Sequence, residues 1–136
     1  MKRLFLDTNI VIDLLDKRMP FCEDAATLFA EAYHKRVQLI ISPTTYATAS
    51  YLLGRHNSIE EVHNLLANLR QLTRVSTEDE RVVDDAIASK FADFEDALQY
   101  YSAIRAKADV IITRNGKDFA ASRIPVMTAA EYLESL

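Results

Sequence analysis

Acidic and amide side chains gather where apolar runs stop and helical patterns start. Asp7 follows Leu4-Phe5-Leu6 directly, Asp93, Glu95 and Asp96 open the apolar-periodic stretch at 94–107, and Asn115 and Asp118 follow Val110-Ile111-Ile112. A carboxylate at the end of a buried strand, with no basic residue beside it in sequence, needs a cation or a proton. Carboxylates without matching histidines suit a hard cation, so the donor set points to Mg2+ or Mn2+ rather than zinc. An ion so held lowers the pKa of a bound water and neutralises charge on a phosphate, and a second ion could stabilise the leaving oxygen. His34, His56 and His63 lie in segments distant from these loops and show no metal-ligand spacing, so histidine acid–base chemistry is not expected. Arg114 and Lys117 stand near the same edge as candidate phosphate contacts, although exposed charge is the default for such residues.

Each acidic group also has a plainer reading. Asp7 could be an N-cap or turn residue, although its place after Leu6 favours function; Asp93 could be only an N-cap, and Glu95 and Asp96 could only complement a helix dipole. Asn115-Gly116 is a strong turn signal, and Asp118 could do no more than fix its loop.

Chemistry at these positions requires a scaffold that brings them to one edge. Leu4-Leu6 reads as a short buried strand. Thr8 can cap a helix whose apolar positions are Ile10, Val11, Leu14 and Leu15. Glu23 to Lys35 reads as a helix with Ala26, Phe29, Ala30 and Tyr33 on one face. Val37 to Ile41 is a buried strand, ended by Ser42 as N-cap and Pro43 at the first position of a helix that runs to about Leu53, with Gly54 as its C-terminal cap. Ser58-Ile59-Glu60-Glu61 is a capping box for a helix to about Leu69. Thr73 to Ser76 is a third strand. Thr77-Glu78-Asp79-Glu80 opens a helix to about Phe91, and Asp93 caps a helix from Phe94 to Lys107. Val110-Ile112 is a fourth strand. Ile124-Pro125-Val126 is a short edge strand, because Pro125 cannot donate to a central ladder. Thr128-Ala129-Ala130-Glu131 caps the last helix. Fully apolar strands alternating with helices argue for a parallel sheet covered on both faces. Strand carboxyl ends and the following helix starts then share an edge, where ligands bind in open α/β sheets.

The 136 residues fit a single domain, 1–136, with 49% hydrophobic residues, two glycines and three prolines. No apolar run approaches the roughly 20 residues of a membrane span, and a signal peptide is not expected after Lys2-Arg3. The single cysteine, Cys22, excludes an internal disulfide and a cysteine-based zinc site. A cytoplasmic location is expected. The net charge of −4 argues against broad non-specific nucleic-acid binding but not against local recognition.

Leu6-Asp7-Thr8-Asn9, Asp93-Phe94-Glu95-Asp96-Ala97-Leu98-Gln99 and Thr113-Arg114-Asn115-Gly116-Lys117-Asp118-Phe119, in this order, resemble the PIN-domain ribonucleases, most nearly the VapC toxins of type II toxin–antitoxin modules. The resemblance covers essentially the whole sequence. It implies a three-layer α/β/α sandwich around a mainly parallel sheet, Mg2+- or Mn2+-dependent endoribonuclease action on RNA, and inhibition by a small antitoxin. Carried over by residue, it makes Asp7 and Asp96 metal ligands and Asn115 and Asp118 further catalytic positions. Thr8 and Thr113 become small polar neighbours that orient a carboxylate, water or phosphate. The chain departs from the pattern once. Ser42-Pro43-Thr44-Thr45-Tyr46-Ala47-Thr48 matches a family stretch that ends in glutamate, and Thr48 carries no charge. Glu95 or Asp93 could supply the missing oxygen; otherwise the site binds a second metal weakly, or the protein binds RNA without cutting it.

The rival expectation is therefore a catalytically weak or inactive PIN-like module that binds RNA or a protein partner. An aspartyl-phosphate hydrolase of the haloacid dehalogenase type is disfavoured, since it needs an aspartate where Asn9 stands. Most apolar positions of the helices at 23–36, 43–53 and 58–69 must be core; if partly exposed instead, Tyr46, Leu52, Leu53, Leu65, Leu66 and Leu69 would suit an antitoxin groove or a homodimer contact.

Overall fold

A computed structural model describes all residues from Met1 to Leu136. The chain runs β1 (Lys2–Leu6), α1 (Thr8–Leu15), α2 (Phe21–Tyr33), β2 (Val37–Ile41), α3 (Pro43–Leu53), α4 (Ile59–Gln71), β3 (Thr73–Val75), α5 (Glu80–Ala88), α6 (Phe94–Arg105), β4 (Val110–Ile112), a 3-10 turn (Gly116–Phe119), β5 (Val126–Met127) and α7 (Ala129–Glu134). The five strands form one sheet in the order β3-β2-β1-β4-β5, and every pairing is parallel. Expectation and structure agree on an α/β sandwich.

Alternation along β1 divides the core. Leu4 and Leu6 join Ile10, Val11, Leu28, Phe29, Leu69 and Tyr132 on one face, so helices α1, α2, α4 and α7 cover that side. Phe5 points the other way, to Ile40, Ile111, Phe119 and the α6 residues Tyr100 and Ala103. Fully apolar strands were legible as strands buried on both faces for this reason. The chain leaves β1 towards β2 and β3 on one side, and later returns to place β4 and β5 on the other. The strand order thus reverses between β1 and β4, and a crevice at their carboxyl ends is the expected ligand position.

Local details differ from the sequence reading. The cap expected at Thr8 falls to Asp7, whose plainer reading is an N-cap: its Oδ1 accepts from the Thr8 N–H at 2.9 Å. The buried stripe of α2 is Ala25, Leu28 and Phe29, with Ala32 packed against it, whereas Ala26, Ala30 and Tyr33 are exposed. Both stripes have helical spacing, and the large Leu28 decides which one turns inward. Asp79 rather than Thr77 caps α5, which ends at Ala88. The edge strand begins at Val126, and the Pro125 carbonyl accepts from Ile111 N–H. No helix is long and apolar enough to cross a membrane.

Candidate active site

Asp7 sits at the switch point between β1 and β4 and is only 7% exposed. Its backbone N–H continues the ladder to Ile112 O at 2.9 Å, so the carboxylate leaves the sheet at the strand's end. Oδ2 accepts from the Thr113 hydroxyl at 2.8 Å and from Asn9 Nδ2 at 3.5 Å. Thr113 is itself fully buried at the end of β4, where its hydroxyl also accepts from the Asn115 N–H at 3.1 Å. The side chain that holds Asp7 therefore also ties down the loop after β4.

A second set of contacts was not anticipated from sequence. Gln99, 1% exposed on α6, donates from Nε2 to Asp7 Oδ1 at 3.4 Å, Thr8 Oγ1 at 3.2 Å and Thr45 Oγ1 at 3.0 Å. Its Oε1 accepts from the Ser42 hydroxyl, and Thr8 and Thr45 share a hydrogen bond at 2.8 Å. Buried polar groups are costly unless satisfied, and here each satisfies the next. The network joins α1, α3 and α6 beneath Asp7.

Asp96 lies half-buried in the first turn of α6, where Asp93 Oδ1 caps its N–H at 3.1 Å. Its carboxyl is pushed up to about 7, first by burial and then by the charges of Asp93, Asp7, Asp118 and Glu95. Glu95 is also raised, first by burial and then by Asp93, Asp7 and Glu78. The charges of Asp7, Asp93, Glu95 and Asp118 thus all bear on Asp96. That of Glu78, which sequence reasoning passed over as a helix-start residue, bears on Glu95. Asn115 caps the 3-10 turn by position but makes no side-chain capping bond. Arg114 is not available to a phosphate as expected, because its guanidinium is committed to Asp13. Lys117 does line the open groove beside Asp96 and Asp118.

The raised Asp96 gives a pH dependence with a definite sign. A carboxyl raised on folding binds its proton more tightly in the folded chain. The resulting stability is fully present below the unfolded value of 3.8 and is lost as pH climbs through about 7. The lowered carboxyls of the caps, Glu61, Asp79 and Glu131, act below that window. Metal-free protein should therefore melt at a lower temperature at pH 8 than at pH 5, and Asp96→Asn should flatten that slope. Thermal melts in chelator across this range check it.

None of the ion pairs, Arg18–Asp16, Arg36–Glu31, Arg105–Asp79 and Arg114–Asp13, reaches the acidic cluster. No lysine or arginine makes a direct ion pair with its carboxylates. The donors are carboxylate, hydroxyl and amide oxygens, which fit a hard divalent ion in kind. No three acidic, histidine or cysteine side chains converge closely enough to cage an ion alone. Magnesium, however, usually needs only one or two carboxylates and keeps several waters.

A family model described as PIN domain matches residues 3–117. The chain belongs to the PIN-domain family. The match takes in Asp7, Asp96 and Asn115 and stops just before Asp118. Among solved structures, this PIN domain is similar to VapBC-1 from nontypeable Haemophilus influenzae, with 21% identity and a TM-score of 0.71 over 94% of this chain and 98% of that chain. A toxin–antitoxin complex from Klebsiella pneumoniae gives 23% identity and a TM-score of 0.69 over 93% and 97%. VapC20 from Mycobacterium tuberculosis, described as a sarcin–ricin loop cleaving toxin, gives 16% and 0.68 over 87% and 94%. At such identities the likeness is one of fold. No curated protein matches.

Proposed function

We propose that this PIN domain is a Mg2+- or Mn2+-dependent endoribonuclease, the toxin of a toxin–antitoxin pair. The observation that carries the reading is the buried Asp7 carboxylate at the sheet's switch point, whose charge bears on Asp96 and which no lysine or arginine pairs with directly. Asp7 and Asp96 hold the ion, which when bound supplies charge neutralisation and an activated water. Thr113, Gln99 and the Thr8 N–H keep Asp7 in one orientation, so the donor needs no rearrangement before use. Thr8, Asp93 and Glu95 are accessory, and Asn115 and Asp118 present further oxygens from the loop after β4.

Beside the acids lies a groove of about 600 Å3 lined by Lys90, Lys117 and Arg123 together with Phe91 and Tyr101. Cations suit a phosphate backbone and aromatic rings suit unstacked bases, which is how single-stranded RNA is usually held, and Phe91 and Tyr101 are half-buried in the groove wall. The toxin assignment is supported by the Haemophilus and Klebsiella assemblies, and RNA as substrate by the Mycobacterium toxin. A small antitoxin is the proposed partner, with a homodimer as a second contact. Of the conditional groove residues, Tyr46, Leu52, Leu65 and Leu66 are half-buried, and Leu53 and Leu69 are core. Tyr51 and Ile59 are the apolar side chains of α3 and α4 that stand out for a partner to cover.

One observation favours a second reading. Thr48 is half-buried and uncharged, so α3 itself brings no carboxylate to the site. On that reading the domain binds RNA without turnover. The two separate on incubating single-stranded RNA with the protein in Mg2+, in Mn2+ and in chelator, beside Asp96→Asn. A nuclease cuts only as wild type with metal. Equal cleavage in every lane removes the proposal, and tight binding without cleavage, relieved by Thr48→Glu, selects the rival.

A further inference from the structure

We infer that Glu78, from the loop between β3 and α5, supplies the carboxylate that α3 does not bring to the acidic site. The inference rests on the metal-dependent reading of that site. Glu78 is half-buried, and both its carboxylate oxygens lie 2.7 Å from the Thr44 hydroxyl, which donates to them. No cationic side chain pairs with it. Thr44 opens the first turn of α3, and the next residue, Thr45, is bonded to Thr8 at 2.8 Å and Gln99 at 3.0 Å. Thr8 and Gln99 in turn contact Asp7. Glu78 is therefore fastened one residue along α3 from the network that fixes Asp7.

Helix geometry explains why this position matters. Side chains on an α-helix lean towards its N-terminus, so a residue covers the turn preceding its own Cα. A carboxylate borne at position 48 would lie over the turn that carries Thr44 and Thr45. Glu78 reaches that same turn from another element, with Thr44 as its anchor. The uncharged Thr48 leaves the space free of a competing negative charge.

Tying a loop to a helix would be a sufficient role for Glu78 if only the hydrogen bond mattered. Glu78→Gln separates the two roles, because an amide oxygen still accepts from Thr44 while the charge is gone. The test is Mn2+ titration by calorimetry on the full chain, together with the rise in melting temperature that Mn2+ produces. Glu60→Gln, on the exposed face of α4, controls for net charge. Glu78→Gln is expected to weaken Mn2+ binding roughly tenfold or more, and Thr48→Glu added to it should restore binding. Wild-type affinity in Glu78→Gln, with affinity lost in Asp96→Asn, overturns the inference and leaves the metal reading standing. Failure of wild type to take up Mn2+ overturns both.

Discussion

Changing Asp7 to Asn is expected to lower metal-stimulated RNA cleavage by roughly 100-fold or more while leaving the fold standing. Residues that merely orient a ligand typically cost 10–100-fold when removed, so loss of the ligand's own charge sets a higher figure. The shape argument is equally definite. Asparagine is as good an N-cap as aspartate, so its side-chain oxygen can still accept the Thr8 N–H that Oδ1 accepts now. The Thr113 hydroxyl, 2.8 Å from Oδ2, can rotate to suit an amide. Cleavage and Mn2+ uptake should therefore fall together while the melting temperature of the metal-free protein holds. Thr113→Val is the graded companion: it keeps the carboxylate but removes its orienting hydroxyl, and should cost roughly 10–100-fold. Cleavage by Asp7→Asn at the wild-type rate would exclude Asp7 from the chemistry.

The prominence of Asp7 was visible in sequence because the signal is local: an apolar strand, a carboxylate, then helical periodicity within a few residues. Asp96 and the loop after β4 were legible for the same reason, each lying at a strand-end or helix-start signal. The all-parallel sheet followed from strands that are apolar on both faces, such as Val110-Ile111-Ile112. Gln99 was not legible. Its partners lie 92 and 54 residues away, and a mid-helix glutamine ordinarily reads as a solvated polar position. Its only local sign is that Gln99 and Ser102 flank Tyr100 and Ala103, so that polar and apolar neighbours are buried together on α6. Glu78 was hidden by a different ambiguity. Thr77-Glu78-Asp79-Glu80 offers several overlapping starts for α5, and only the observed cap at Asp79 frees Glu78 to reach Thr44. Sequence order likewise could not tell that Arg114 turns away from the groove while Lys117 lines it.

Replacing Arg114 by Met is expected to cost about 3 kcal/mol of folding stability, the largest such effect among the polar residues near the site. Asp13 is 1% exposed in α1, and Arg114 meets it as a fork, Nε to Oδ2 at 2.8 Å and Nη2 to Oδ1 at 3.1 Å. The guanidinium also stacks over the Phe21 ring, 4.1 Å from its centroid. Removing the cation strands a carboxylate in the core, which in buried pairs costs about 3–5 kcal/mol. The 28% exposure of the Arg114 side chain places the expectation at the low end of that range. Adding Asp13→Leu should recover most of the loss, since replacing a buried pair by apolar side chains is often neutral or better. Urea denaturation of the single and double variants measures both steps, and a loss below about 1 kcal/mol for Arg114→Met would show that water already reaches the pair. The double variant also separates stability from chemistry. Arg114 sits between Thr113, which holds Asp7, and Asn115, so the ion pair could be thought to position the site. Thr113, however, is fixed by the sheet: its N–H donates to Met127 O at 2.9 Å, in the ladder between β4 and β5. Cleavage by the double variant should therefore return along with its stability. A refolded but inactive double variant would instead assign Arg114 a part in setting the loop that carries Asn115 and Asp118.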